Sequence, residues 1–247
     1  MRSCVRLFCG EMRKYAHTSI LWVHLILPLV GMAVFLLYYS FSAWESGAKA
    51  QAYLEVLACI WPFLAGLICG MAVEMERNSG FQNFLLLPGR RWQALLGKWL
   101  CLMALGLIAA LIAALGFGAL FHLLPGGNVF SMKVYLLEAA VIWICQAPVY
   151  MLHLFLAAQF GRGASIGVGV GGAILAFLML TGMGEGIWMY LPWSFGGRWC
   201  DFMLVYSLGA VDRAVLTGNA WPALVVCGGL TALIFGASLL WMGRKNF

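Results

Sequence analysis

Six stretches of this chain are apolar for long enough to be read as bilayer-crossing helices. A helix needs about 20 apolar residues to cross the hydrocarbon core. Windows at 20–41, 54–73, 97–121, 134–158, 164–182 and 221–241 approach or meet that length. The fifth is short and glycine-rich but carries no charge. A charged island, Glu74–Lys98, separates the second and third runs. It holds the acidic pair Glu74 and Glu76, then Arg77, Gly80, a leucine run, a Pro-Gly turn and the basic residues Arg90, Arg91 and Lys98. In residues 1–18, Val5, Phe8, Cys9 and Met12 recur at helical spacing among basic residues, which predicts an interfacial amphipathic helix. Residues 183–220 are apolar but interrupted by Glu185, Arg198, Asp201, Asp212 and Arg213, and read as a loop with short interfacial or re-entrant helices.

Composition agrees with the pattern. Hydrophobic residues are 64% of the 247 and charged residues 10%, against about 25% charged in an average soluble domain. Mean hydropathy is +0.93. A water-soluble fold would leave large apolar patches exposed. The chain is therefore expected to be an all-α polytopic membrane protein, one transmembrane domain over residues 1–247 with six spans. The 11 Trp and 8 Tyr suit interfacial belts. No cleavage site follows a short apolar run near the N-terminus, so no cleavable signal is expected there. Six spans put both termini on one side. Eleven basic residues fall on that side (Arg2, Arg6, Arg13, Lys14, Arg77, Arg90, Arg91, Lys98, Arg162, Arg244, Lys245) and four on the other (Lys49, Lys133, Arg198, Arg213). The positive-inside rule then makes both termini and the charged island cytoplasmic, and 183–220 outward-facing.

Several chemistries drop out. There is no GxxxxGK[ST] run, and Gly97-Lys98 is followed by Trp99. The GxGxxG match at Gly167, Gly169 and Gly172 lies inside an apolar span rather than a βαβ unit. No HExxH or Ser-His-acid arrangement can be formed, so neither metal nor catalytic residues are expected. The eight cysteines show no CxxC spacing and read as packing residues. His24, Glu138, Gln146 and His153 are polar residues within spans. Glu138 and His153 are fifteen residues apart, about 22 Å along a helix, which suits helix–helix hydrogen bonding better than a proton relay. Pro28, Pro62 and Pro148 are candidate kinks. Gly163, Gly167 and Gly171 form a four-residue stripe, as do Gly106, Ala110, Ala114 and Gly118, with Gly66 and Gly70 as a shorter one. Such stripes are expected at helix contacts within or between subunits.

These features together resemble the six-helix permease subunits of ABC-2 type ABC transporters, and among them the lantibiotic (bacteriocin) protection permeases, over essentially the whole length. Glu11-Met12-Arg13-Lys14 resembles the family's amphipathic elbow. HTSILWVHLILPL, His17–Leu29, is similar to the start of the first span in the lantibiotic-protection group. Glu74-x-Glu76, Gly80, Leu85-Leu86, Pro88, Arg90-Arg91 and Lys98 resemble the coupling loop, and LPWSF, Leu191–Phe195, matches the outward segment before the last span. The resemblance implies an elbow helix over 1–18, an ATPase-coupling segment over 74–96, and an outward loop over 183–220. It implies a bacterial plasma-membrane protein with no cofactor of its own, working with an ABC ATPase dimer that binds ATP and Mg. A second related permease, or a second copy, is expected alongside, with a cationic amphipathic peptide as cargo and no nucleic acid. Coupling is assigned to Glu74, Glu76, Arg77, Gly80, Phe81, Phe84, Leu85, Pro88, Arg90 and Arg91. Phe81, Phe84 and Leu85 are expected to enter a groove on the ATPase, and Glu74 and Glu76 to pair with a partner's basic residues or with Arg77. The other readings are an ABC-2 exporter of lipid, drug or polysaccharide precursor, and an ATP-independent carrier or scaffold.

Overall fold

A computed structural model describes residues 2–81, 91–127, 129–209 and 213–244. Phe84, Leu85, Pro88 and Arg90 lie outside the described residues. Among the described residues there is no strand. The helices are α1 (Arg2–Ala16), α2 (Ser19–Phe41), α3 (Ser46–Asn78), α4 (Arg91–Phe121), α5 (Met132–Phe160), α6 (Arg162–Met179), α7 (Phe195–Leu208) and α8 (Arg213–Arg244). Three single 3₁₀ turns, at Gly182–Gly184, Trp188–Tyr190 and Pro192–Ser194, precede α7. Among the described residues, six helices are long and apolar enough to cross a membrane: α2 to α6 and the 220–244 part of α8.

The helices outrun the apolar windows because backbone hydrogen bonding continues into water-facing turns, while hydropathy marks only the hydrocarbon crossing. The second window begins at 54, but α3 begins at Ser46, and Lys49 there donates to Tyr39 O (3.0 Å) and Ser42 O (2.9 Å). Those are carbonyls at the C-terminal end of α2, where a cation is favoured. The gap of 159–163 between the fourth and fifth apolar windows shrinks to Gly161 alone, at φ +95°, a conformation L side chains rarely adopt.

α3, α4 and α5 form the centre. Tyr53 stacks on Phe117 (centroids 3.7 Å apart) and donates its hydroxyl to Ala113 O at 2.9 Å. Trp99 and Trp143 donate indole N–H groups across to Ala147 O (3.0 Å) and Met103 O (2.8 Å), strapping α4 to α5. α2 and α8 are peripheral and turn residues such as Trp22, Val34, Phe41, Val225 and Leu233 outward.

Of the small-residue stripes, that of α4 lies against α5. Ala110 and Ala114 are buried, Gly106 sits under the Tyr150 hydroxyl, and a Cβ on Gly118 would come 2.6 Å from the Tyr135 ring. On α6 the close approach uses a different face from the one the four-residue stripe suggests. Gly163, Gly167 and Gly171 have nothing within 4 Å of a Cβ position. Ser165 and Gly169 meet α3 instead: a Cβ on Gly169 would lie 2.8 Å from Pro62 O, and one on Gly66 would lie 2.6 Å from Ser165 O. Two residues of helix turn the face by about 200°, so spacing alone does not reveal which set faces inward.

The segment after α6 folds back into the bundle. Trp193, in the last 3₁₀ turn, lies against Gly172 and donates its indole N–H to His153 Nε2 at 3.3 Å. His153 Nδ1 is 3.2 Å from Ser165 Oγ, which donates to Gly66 O at 2.9 Å. α7 then starts beside Ala58 and Gln146 and runs outward along α3 and α5. The segment from 182 to 208 thus packs back against the bundle. Arg198 on α7 fastens it by donating to Met179 O and to Thr181 O (2.9 Å), at the end of α6, and pairing with Glu185 at 3.2 Å.

Candidate functional site

The C-terminal end of α3 is tied by side-chain contacts to four other helices. Its residues Glu74, Glu76 and Arg77 reach different helices because successive helical positions are turned by about 100°.

Glu76 turns inward. Its Oε1 takes hydrogen bonds from Lys98 Nζ (3.1 Å, on α4) and Lys14 Nζ (2.9 Å, on α1). Glu11, one turn before Lys14 on α1, accepts from Lys14 through Oε1 at 2.8 Å and from Lys98 through Oε2 at 2.6 Å. The Tyr15 hydroxyl is 3.4 Å from Lys98 Nζ. Two carboxylates and two ammonium groups thus balance in a closed ring. The side chains of Lys98 and Glu76 are only 1% and 2% exposed. At such burial, removing one partner of an ion pair costs about 3–5 kcal/mol, because the other charge is left uncompensated. Burial pulls the Lys14 ammonium down, but hydrogen bonds and charge from Glu11 and Glu76 outweigh it, so the group is held above its ordinary value. Tyr15 is pushed well above the phenol range by burial and by the Glu11 charge.

Glu74 points elsewhere, to Arg162 Nη1 at 2.8 Å, in a pair more than 40% exposed on both sides. Arg77 donates through Nη2 to Ala157 O on α5 at 3.4 Å and lies beside Gly161. About one turn of α3 therefore binds α1, α4, α5 and α6. The helix then stops abruptly. Gly80 and Phe81 both have positive φ (65° and 54°), and the Gly80 and Phe81 amides return to Arg77 O and Glu76 O.

Several sequence-based assignments change place. Glu76 is buried within the chain rather than presented to a partner, and Glu74 is engaged by Arg162. Phe81 packs half-buried against the chain's own core rather than standing free. Arg91 opens α4. The partnership of Glu11 with Lys98 went unseen. The available signal was Glu11 and Lys14 at i,i+3 on a helix whose other charges are basic, facing a lysine eight residues into a span. His153 and Glu138 do not meet: His153 bonds Ser165 and Trp193, while Glu138 lies beside the Cys200 thiol.

The arrangement joins the N-terminal helix α1 to the two spans that flank residues 82–90. A family profile described as "ABC-2 family transporter protein" matches residues 7–178, well over half of the chain. The chain belongs to the ABC-2 transporter family. A search of characterised proteins finds none that matches it. Membership makes the protein a multi-pass membrane permease component, distinct from the ATPase, and implies an ABC ATPase as its partner. The matched region begins within α1 and ends in α6, so the charge ring, the α3 terminus and both flanking spans of this permease lie inside it.

Proposed function

We propose that this permease is the membrane subunit of an ATP-driven exporter that expels lantibiotic- or bacteriocin-type peptides from the bacterial plasma membrane for self-protection. Both termini and the 74–96 segment face the cytoplasm, as the distribution of basic residues favours. The partner ATPase dimer binds ATP and Mg. The permease pairs with a second related permease or a copy of itself.

The observation that carries the coupling role is the buried ring of Glu11, Lys14, Glu76 and Lys98. An ATPase pressing on 82–90 pushes on the ends of α3 and α4. The ring makes those ends move with the elbow, since parting them leaves buried charges unpaired. α3 is a 33-residue helix, about 50 Å long. Its far part contacts the segment from 182 to 208: Gln51 Nε2 lies 3.4 Å from Asp201 Oδ1, and Gly197 packs on Cys59. A displacement at one end of α3 thus reaches α7 at the other. The peptide cargo rests on the resemblance of His17–Leu29 and Leu191–Phe195 to the lantibiotic-protection group.

The test is peptide clearance. Cells making the permease with its ATPase are loaded with a fluorescent lantibiotic, and release to the medium is followed with and without energy depletion. Energy-dependent release supports the reading. Retention of the peptide alongside active ATPase and export of a lipid or drug would transfer the machine to another cargo.

A further inference from the structure

A cavity of ≈ 490 Å³ opens between α2 and α3 and reaches inward to Ala109 on α4 and Tyr150 on α5. Its size falls within the range of ligand pockets, about 300–1,000 Å³. Leu27, Val30 and Ile60 on its walls are exposed on the flank of the bundle, so the mouth faces the bilayer. Apart from His24, no titratable nitrogen or carboxylate lines it, and its walls are almost entirely carbon.

Three lining side chains nevertheless carry buried polar atoms outside regular hydrogen-bond geometry: His24 Nε2 has no hydrogen-bond partner among the described residues, and Trp61 Nε1 and the Tyr150 hydroxyl lie beside each other with no other partner among them. Each of these residues is at most 3% exposed. Buried groups of this kind are normally satisfied, and each exception calls for an explanation. The roles of the atoms follow from the geometry. His24 Nδ1 lies 2.8 Å from Ile20 O, and a carbonyl can only accept, so Nδ1 carries the proton and Nε2 is left as an acceptor. Trp61 Nε1–H is a donor, and the Tyr150 hydroxyl is both.

We propose that this cavity binds a neutral single-chain amphiphile from the bilayer, with its alkyl chain along the α2–α3 walls and a hydroxyl or amide at the His24, Trp61 and Tyr150 end. A hydroxyl or amide both donates and accepts, which suits the His24 Nε2 acceptor and the Tyr150 hydroxyl beside Trp61. A charged head group would be buried here without a counter-ion, which is strongly disfavoured. A pure hydrocarbon would leave the three polar atoms as they are. The inference stands on the cavity alone and does not depend on which cargo the exporter moves.

The experiment uses the full chain in phosphatidylcholine nanodiscs, with bromohexadecanol as the probe. Bromine quenches nearby indoles, and the Trp61 contribution is obtained by difference from Trp61→Phe. Quenching of Trp61 is expected to saturate and to be reversed by unbrominated hexadecanol. Gly31 lines the cavity and has nothing within 4 Å of its Cβ position. Gly31→Leu therefore fills the cavity without a clash and is expected to weaken binding at least tenfold. His24→Phe, and separately a bromoalkane lacking the hydroxyl, are expected to bind about three- to tenfold more weakly, the worth of one net hydrogen bond. Quenching that rises linearly with probe, resists the hexadecanol chase, or is unchanged in Gly31→Leu would overturn the proposal and leave only lipid passing along the surface. The chase is made on the wild-type chain and decides the matter even if the filled variant does not fold.

Discussion

Lys98 on α4 and Glu11 on α1 are 87 residues apart in sequence, yet Nζ and Oε2 meet at 2.6 Å, with the lysine side chain 1% exposed. This contact ties the elbow helix to a span. With Glu76 and Lys14 it makes the elbow, the end of α3 and the start of α4 a single unit.

Lys98→Met leaves Glu11 and Glu76 with Lys14 as the remaining lysine of the ring. The expected loss is about 3–5 kcal/mol, read as a lower unfolding midpoint of the purified permease in detergent. Adding Glu11→Gln to Lys98→Met restores charge balance. The double variant should be more stable than the sum of the single losses, with a coupling of at least about 1 kcal/mol.

The Glu74–Arg162 pair should behave differently although its distance is similar. It is exposed on both sides, and such pairs contribute roughly 0–1 kcal/mol. Arg162→Gln is expected to leave the unfolding midpoint almost unchanged. A drop as large as that of Lys98→Met would contradict the division between buried ring and surface pair.

Gly169 and Gly167 separate the two faces of α6. Gly169→Val drives a side chain into Pro62 O and the Phe63 Cα and should destabilise the chain by about 1–3 kcal/mol, as overpacking does. Gly167→Val meets nothing within the chain and should change its stability by under about 1 kcal/mol. Thermal unfolding of the two purified variants side by side checks this. If Gly167→Val instead abolishes assembly with another permease subunit, the outward stripe is a subunit contact.

The six spans were legible because a bilayer imposes one length and one solvent on each, and the helical fold of the N-terminal segment because its apolar residues recur at helical spacing. What periodicity could not supply was azimuth. The repeat of Gly163, Gly167 and Gly171 is as regular as a contact face should be, yet Ser165 and Gly169 are the residues that meet α3. The inward turn of Glu76 was hidden for a similar reason. It is one position from Arg77 and two from Glu74, and only the positions of α1 and α4 decide which is buried. The break after α6 was half visible, because charges interrupted the apolar run at Glu185, Arg198 and Asp201. The Trp193–His153 bond that anchors this segment needed the fold.

Trp193→Phe removes the indole donor to His153 and keeps the ring against Gly172. The expected loss is about 0.5–1.5 kcal/mol, with faster hydrogen exchange over 182–194 than in the wild type. Unchanged exchange there would mean the segment is held by packing alone.

The central claim is that the buried ring transmits the ATPase stroke. It is tested most directly by the ratio of cargo transported to ATP hydrolysed in proteoliposomes holding the assembled permease–ATPase complex. The charge-neutral pair Glu11→Gln/Lys98→Gln keeps Lys14 and Glu76 facing each other and should still assemble with the ATPase. This complex is expected to hydrolyse ATP while transport per ATP falls at least tenfold. Transport per ATP equal to the wild type, or transport by the permease with no ATPase present, would contradict it.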